Sequence, residues 1–191
     1  MKKIAWLCCI LLVPVLALAV TVEGKNYPAT VTIEGKTLKL VGAGLRKKWL
    51  VQVYAMGAYS ESGKCDPKAL VNTDEAKYMR LDMLRDVSAE KMANTIGDSF
   101  DEHMPKNASA QLKQQNVTFR SYFKDECTEG TVLEFTYLPG TGTVLKQNGK
   151  QLGQPLAGPE FAHVLWDIYF GEDTCCSSLR EQIFECCGLE L

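Results

Sequence analysis

The chain reads as one α+β domain, a large antiparallel β-sheet with a layer of helices on one face. Three observations predict this. Strand-like runs are joined by short hairpin turns, the order is strands, mixed helices, strands and then helices, and no Rossmann or P-loop glycine pattern occurs.

Ala29 to Ile33 and Lys36 to Val41 alternate around Glu34-Gly35, a hairpin signal. Gly42-Ala43-Gly44 interrupts the alternation and predicts a bulge or a close backbone approach. Trp49 to Tyr59 is rich in β-branched and aromatic residues and reads as the next strand. Asp66-Pro67 opens a short helix through Val71, with proline at the first helical position. Tyr78 to Leu84 is a strand. Ser88 caps a helix on which Met92, Ala93, Ile96, Gly97, Phe100 and Met104 recur at helical spacing, and Pro105 ends it. Ser109 to Phe119 is a further helix. Thr131 to Leu138 and Thr143 to Gln147 are strands, and Asn148-Gly149 turns the chain back toward Gln151. Gly158-Pro159 opens a helix with Phe161, Val164, Leu165 and Ile168 inward, closed by Gly171. Ser177 to Cys187 is the last helix, with Leu179, Ile183, Phe184 and Cys187 on one face.

Residues 1–19 read as a secretory signal. Lys2 and Lys3 precede an apolar run from Ile4 to Val15, too short to span a bilayer, and Ala17-Leu18-Ala19 has the A-x-A form of a cleavage site. The expected mature domain is residues 20–191, exported to the periplasm or secreted, without stable membrane insertion after cleavage. The formal net charge is −2 with no block of Lys and Arg, which argues against nucleic acid as a partner. No catalytic motif or spaced metal cluster occurs, so no metal or cofactor is expected. The two histidines, His103 and His163, lie on helices and suit surface or packed positions.

Cys65, Cys127, Cys175, Cys176, Cys186 and Cys187 follow the signal, an even number that suits disulfides in an exported chain. The last helix would rise roughly 16 Å between the two Cys-Cys pairs, while a disulfide needs Cα atoms within about 7 Å. Cys65 and Cys127, both in polar surroundings, are the expected pair.

The run Asn26-Tyr27-Pro28, then Leu40-Val41-Gly42-Ala43-Gly44-Leu45-Arg46, then Val53-Tyr54-Ala55-Met56-Gly57-Ala58-Tyr59 resembles the N-terminal hairpin region of the chalcone isomerase family. Leu84 to Lys91 looks like the strand-to-helix junction of its fatty-acid-binding members. Gly149, Leu156, Gly158, Phe161, Leu165-Trp166 and Phe170-Gly171 look like the C-terminal segment of bacterial members. The resemblance implies the family's open-faced β-sandwich, with a ligand cleft between sheet and helices.

In the isomerases an arginine holds the substrate phenolate while hydroxyls stabilise the developing enolate. By this resemblance Arg46 takes the arginine's place, Tyr54 replaces a catalytic threonine, and Val87 and Ile168 stand where a tyrosine and a late threonine would supply hydroxyls. Asn94 falls at the asparagine position. Fatty-acid-binding relatives pair an arginine with a tyrosine, which suits a carboxylate. The resemblance therefore implies a protein binding a small hydrophobic carboxylate, without chalcone isomerase activity. Arg46, Tyr54 and Asn94 would contact the ligand, and Met92, Ile96, Phe100 and Leu165 would line the apolar cleft. Two other readings stay open: an intramolecular lyase acting on another substrate, and a structural or partner-binding protein with a closed cleft.

Alternation sets one condition on the site. If Lys47-Lys48 formed the turn, Arg46 and Tyr54 would face opposite ways, and a bulge at Gly44 or at Ala55-Met56-Gly57 would be needed to bring them together.

Overall fold

The computed structural model describes residues 19–185. The signal segment before Ala19 and the cysteines Cys186 and Cys187 lie outside the described residues. Strands β1 (Ala19–Val22) and β2 (Lys25–Pro28) form a small hairpin of their own. The main sheet holds β3 (Thr30–Ile33), β4 (Lys36–Lys48), β5 (Val51–Ser60), β6 (Lys77–Met83), β7 (Val132–Leu138), β8 (Gly142–Gln147) and β9 (Lys150–Leu156). These seven strands lie side by side in chain order, each antiparallel to its neighbours. Helix α1 (Pro67–Asn72) joins β5 to β6, and α2 (Ala89–His103) and α3 (Ala110–Arg120) join β6 to β7. Helices α4 (Pro159–Phe170) and α5 (Ser177–Glu185) follow the sheet. The α+β class and the antiparallel sheet with its helical layer are those expected.

Local chemistry sets the helix starts. The side chains of Asp66, Ser88 and Ser109 accept hydrogen bonds from the backbone N–H groups of Lys68 (2.9 Å), Lys91 (3.3 Å) and Leu112 (3.1 Å), satisfying donors that the first turn leaves unpaired. Alternation then divides β4, β5 and β6 between two cores. Met79, Leu81 and Met83 of β6 face the helices, where Phe100, Phe119, Phe161 and Trp166 are fully buried. Tyr78 faces the other way and joins Tyr27, Leu38 and Tyr59 in a smaller core beneath the β1–β2 hairpin. The sheet's second face is thus partly covered, by two strands that the sequence reading did not assign.

The Gly42-Ala43-Gly44 run does not end a strand. β4 continues through it with an extra residue at Val41, because the pairing moves from Leu40 with Tyr59 to Gly42 with Ala58. The glycines instead admit α5, since a Cβ on Gly42 would overlap the Ile183 carbonyl oxygen and one on Gly44 would press on Leu179. Gln182 completes the docking. Its Oε1 accepts from the Leu45 N–H at 2.9 Å and its Nε2 donates to the Leu45 carbonyl at 3.3 Å. The helix thereby covers a stretch of β4 that pairs with no strand on that side.

The expected Cys65–Cys127 pair does not form. Cys127 has a free, buried thiol that burial pushes up to about 11. Despite its polar neighbours, its backbone pairs with Val87, the two N–H···O bonds measuring 2.8 and 3.0 Å, and this turns the side chain into the core. Cys65 lies beside the end of α5, its Sγ 3.8 Å from the Phe184 carbonyl oxygen.

Lys77 yields a pH-dependent prediction. It is 2% exposed and its Nζ donates to the Val71 carbonyl at 3.0 Å. Burial lowers its pKa from 10.5 to about 8. Between those values the unfolded chain binds more protons than the folded one, so the Lys77 contribution to stability should rise with pH from about 8 to 10.5. Below this range the buried ammonium opposes folding by a constant amount. Lys77→Met should therefore stabilise the fold at pH 7 by roughly 1–3 kcal/mol, an advantage that shrinks as pH approaches 10. Paired urea melts at pH 7, 8 and 9.5 would show this, and a constant difference between the two proteins would refute it.

Candidate functional site

The site begins with a register shift in the β4–β5 hairpin. Lys48 pairs with Val51, so Trp49-Leu50 is the turn, not Lys47-Lys48. Lys47 pairs with Gln52, and the next pair is Arg46 with Tyr54. Val53 is therefore an extra residue, a bulge on β5. Directly paired residues point to the same face of a sheet, so Arg46 and Tyr54 enter one cleft. The required bulge exists, but at Val53 and not at Gly44 or Ala55-Met56-Gly57.

Above this pair lies a cavity of about 400 Å³ between the sheet and the helices. Its apolar wall comes from Val53, Leu81, Leu133 and Phe135 of the sheet, with Met92 and Ile96 of α2 and Ile168 of α4. Its polar side comprises Arg46, Tyr54, Tyr169, Cys175 and Cys176, and Thr95 and Ser99 of α2 add hydroxyls. Val87 also lines it.

Arg46 is held by two backbone carbonyls. Nη1 donates to Lys47 O at 2.7 Å and Nη2 to Cys175 O at 3.2 Å. Among the described residues no carboxylate forms an ion pair with it. The guanidinium thus keeps its charge and part of its donor fork for another group. Burial raises the phenols of Tyr54 and Tyr169 well above their usual range. Both are protonated at neutral pH and act as neutral donors. A fixed cation beside neutral phenols suits an anionic oxygen on an apolar body.

Cys175 and Cys176 complete the polar side, with their sulfurs 2.7 Å apart. The hydrogen bond from Cys176 lowers the Cys175 thiol pKa first, and Arg46 adds to the effect. The same hydrogen bond raises Cys176, as does burial.

The structure places Arg46, Tyr54, Met92 and Ile96 together around this cavity. It leaves out the other three expected residues. Asn94 is exposed on α2 and does not line the cavity. Phe100 is fully buried and stacks on Phe161, ring centroids 4.7 Å apart, in closed core. Leu165 is likewise sealed in the core. Sequence reasoning missed Tyr169, although the stripe Leu165, Ile168 and Tyr169 follows helical i, i+3, i+4 spacing. It considered Cys175 and Cys176 only as disulfide candidates and overlooked Thr95 and Ser99.

No curated protein sequence matches the chain. Among solved structures, the crystal structure of the Arabidopsis thaliana fatty-acid binding protein AtFAP1 is similar, with a TM-score of 0.72 at 19% identity. The alignment covers 88% of this chain and 96% of that one, and at this identity the likeness is one of fold. The family model described as chalcone isomerase-like matches residues 19–184, nearly the whole described domain with its Arg46–Tyr54 cleft, and the chain belongs to that family.

Proposed function

We propose that this protein binds a small hydrophobic carboxylate, of fatty-acid type, in the cleft between sheet and helices. One observation carries the reading. An apolar cavity of about 400 Å³ is served by an arginine with no carboxylate partner among the described residues. That size lies within the usual range for small-molecule sites, and few convergent polar groups in an apolar lining are their usual chemistry. Arg46 anchors the anion, Tyr54 and Tyr169 donate to it, and Met92, Ile96 and Ile168 contact the acyl chain. The fatty-acid-binding title of the similar Arabidopsis structure is consistent with this ligand class.

The proposal includes export to the periplasm or beyond, which the signal-like first nineteen residues motivate. It also includes oxidation of Cys65 on export, with a partner other than Cys127. Calorimetric titration of medium- and long-chain fatty acids into the purified protein tests the ligand reading. Saturable binding of the acids but not of the matching alcohols supports it, and equal binding of both classes removes it.

The hydroxyls of Tyr54, Tyr169, Thr95 and Ser99 in the cavity favour a second reading, an intramolecular lyase that holds a developing oxyanion. Chalcone itself is an unsuitable substrate, because Val87 and Ile168 line the cavity where the resemblance places the isomerases' hydroxyls. One lost donor of this kind can reduce the rate by ~10²–10³. Chalcone cyclisation should therefore be undetectable above the uncatalysed rate. Enzyme-like turnover that vanished in Arg46→Ala would establish the lyase reading instead.

A further inference from the structure

The β4–β5 turn differs from the other two-residue hairpin turns in the described chain. Those place Glu23-Gly24, Glu34-Gly35 and Asn148-Gly149 at their tips, a polar residue followed by glycine, both at positive φ. The β4–β5 tip is Trp49-Leu50. Trp49 has φ +59°, a conformation that a bulky aromatic residue rarely adopts and that glycine usually supplies at this point of a hairpin. Trp49 is 91% exposed and Leu50 98%, with Val51 also exposed beside them. Neither local propensity nor packing accounts for this choice. Large apolar side chains held out by a strained turn indicate a contact beyond the fold.

The charges around the tip identify the contact. Lys47, Lys48, Arg85 and Lys91 are exposed, and none takes part in the ion pairs found among the described residues. The nearby Asp86 carboxylate accepts from the Glu129 N–H at 2.7 Å. Tryptophan and leucine projecting from a lysine-rich rim fit a bilayer interface. The indole takes the headgroup level, the leucine enters the acyl boundary, and the ammonium groups meet anionic headgroups. Lys48, Trp49, Arg85 and Lys91 also form the exposed rim of the Arg46 cavity.

We propose that the Trp49-Leu50 hairpin tip docks on an anionic lipid bilayer and sets the mouth of the Arg46 cavity against it. A fatty acid could then pass between bilayer and cavity without crossing water. The docking surface stands on the tip and its charges. The transfer step rests on the ligand reading above.

The test uses protein recovered after export, mixed with vesicles of phosphatidylcholine alone or with phosphatidylglycerol. Wild type should co-sediment with the anionic vesicles and be released in 1 M salt, where the Debye length falls to about 3 Å. Brominated acyl chains should quench Trp49, with Trp49→Phe supplying the background from Trp166. Leu50→Glu should lower partitioning at least ~10-fold, through lost apolar burial and added repulsion. Lys47→Ala should lower it roughly fivefold, on anionic vesicles only. Leu50 is nearly fully exposed and does not line the Arg46 cavity, so Leu50→Glu should fold normally and keep its fatty-acid affinity in lipid-free buffer.

Equal partitioning of wild type and Leu50→Glu, or an unquenched Trp49, would overturn the docking proposal. So would a concentration-dependent dimer in ultracentrifugation that Leu50→Glu abolishes, because the tip would then serve a second copy of the chain. Vesicle docking without fatty-acid binding would leave the surface standing and remove only the ligand reading.

Discussion

Arg46→Ala should weaken binding of a medium-chain fatty acid by ~2–5 kcal/mol, because the ligand's carboxylate would be left unpaired in a partly desolvated cleft. The ligand-free fold should lose only about 1 kcal/mol. What Arg46 gives the apo protein is its pair of hydrogen bonds to the Lys47 and Cys175 carbonyls, not a buried ion pair. Arg46→Lys should recover part of the affinity, since an ammonium keeps the charge but loses the planar fork. Tyr54→Phe should weaken binding less, by about 0.5–3 kcal/mol, the range between neutral and charge-assisted hydrogen bonds. Titrations of these proteins alongside their urea melts separate an anchor from a structural residue. Wild-type affinity in Arg46→Ala would eliminate the anion anchor, and a large stability loss with unchanged affinity would make Arg46 structural.

The parts of this fold that the sequence discloses are those fixed by neighbouring residues. Glu34-Gly35 and Asn148-Gly149 dictate tight hairpins, and Ser88 and Asp66 satisfy helix donors within their own first turns. The site depends on longer-range matters. Arg46 and Tyr54 share a face only because Val53 bulges, and strict alternation predicts the opposite. Helical spacing correctly turns Phe100 and Leu165 inward, but it cannot separate closed core from cavity wall. Cys127 sits among charged residues yet is buried through its bridge to Val87, a pairing of residues forty apart. The β1–β2 hairpin escaped notice because its strands are four residues each, although Glu23-Gly24 repeats the Glu34-Gly35 turn.

Tyr27 is the fully buried side chain of that hairpin, and Tyr27→Ala should destabilise the protein by ~3–5 kcal/mol, in the range of large aromatic truncations. Tyr27 is fully buried, and its ring occupies space that Gly57 leaves open; any Cβ there would run into the ring. Its hydroxyl donates to Asp82 Oδ2 at 2.9 Å, and Arg80 grips the same carboxylate with two bonds of 2.8 and 3.0 Å. Burial raises the Tyr27 phenol far above its usual range, so it remains a donor throughout the working pH range. Tyr27→Phe should therefore lose about 1–3 kcal/mol, one charge-assisted hydrogen bond, because Arg80 still pairs the buried carboxylate. Gly57→Ala should lose ~1–3 kcal/mol by displacing the ring. Its effect should largely disappear in the Tyr27→Ala background, where the ring is gone, so the double-mutant cycle should be strongly non-additive. Fatty-acid affinity should be unchanged in Tyr27→Phe, because Tyr27 packs on the sheet face opposite the cavity. Urea melts of the four proteins in the cycle decide the matter. Additive losses at Tyr27 and Gly57, or a Tyr27→Ala protein within about 1 kcal/mol of wild type, would show that the hairpin is not seated on the sheet through this ring.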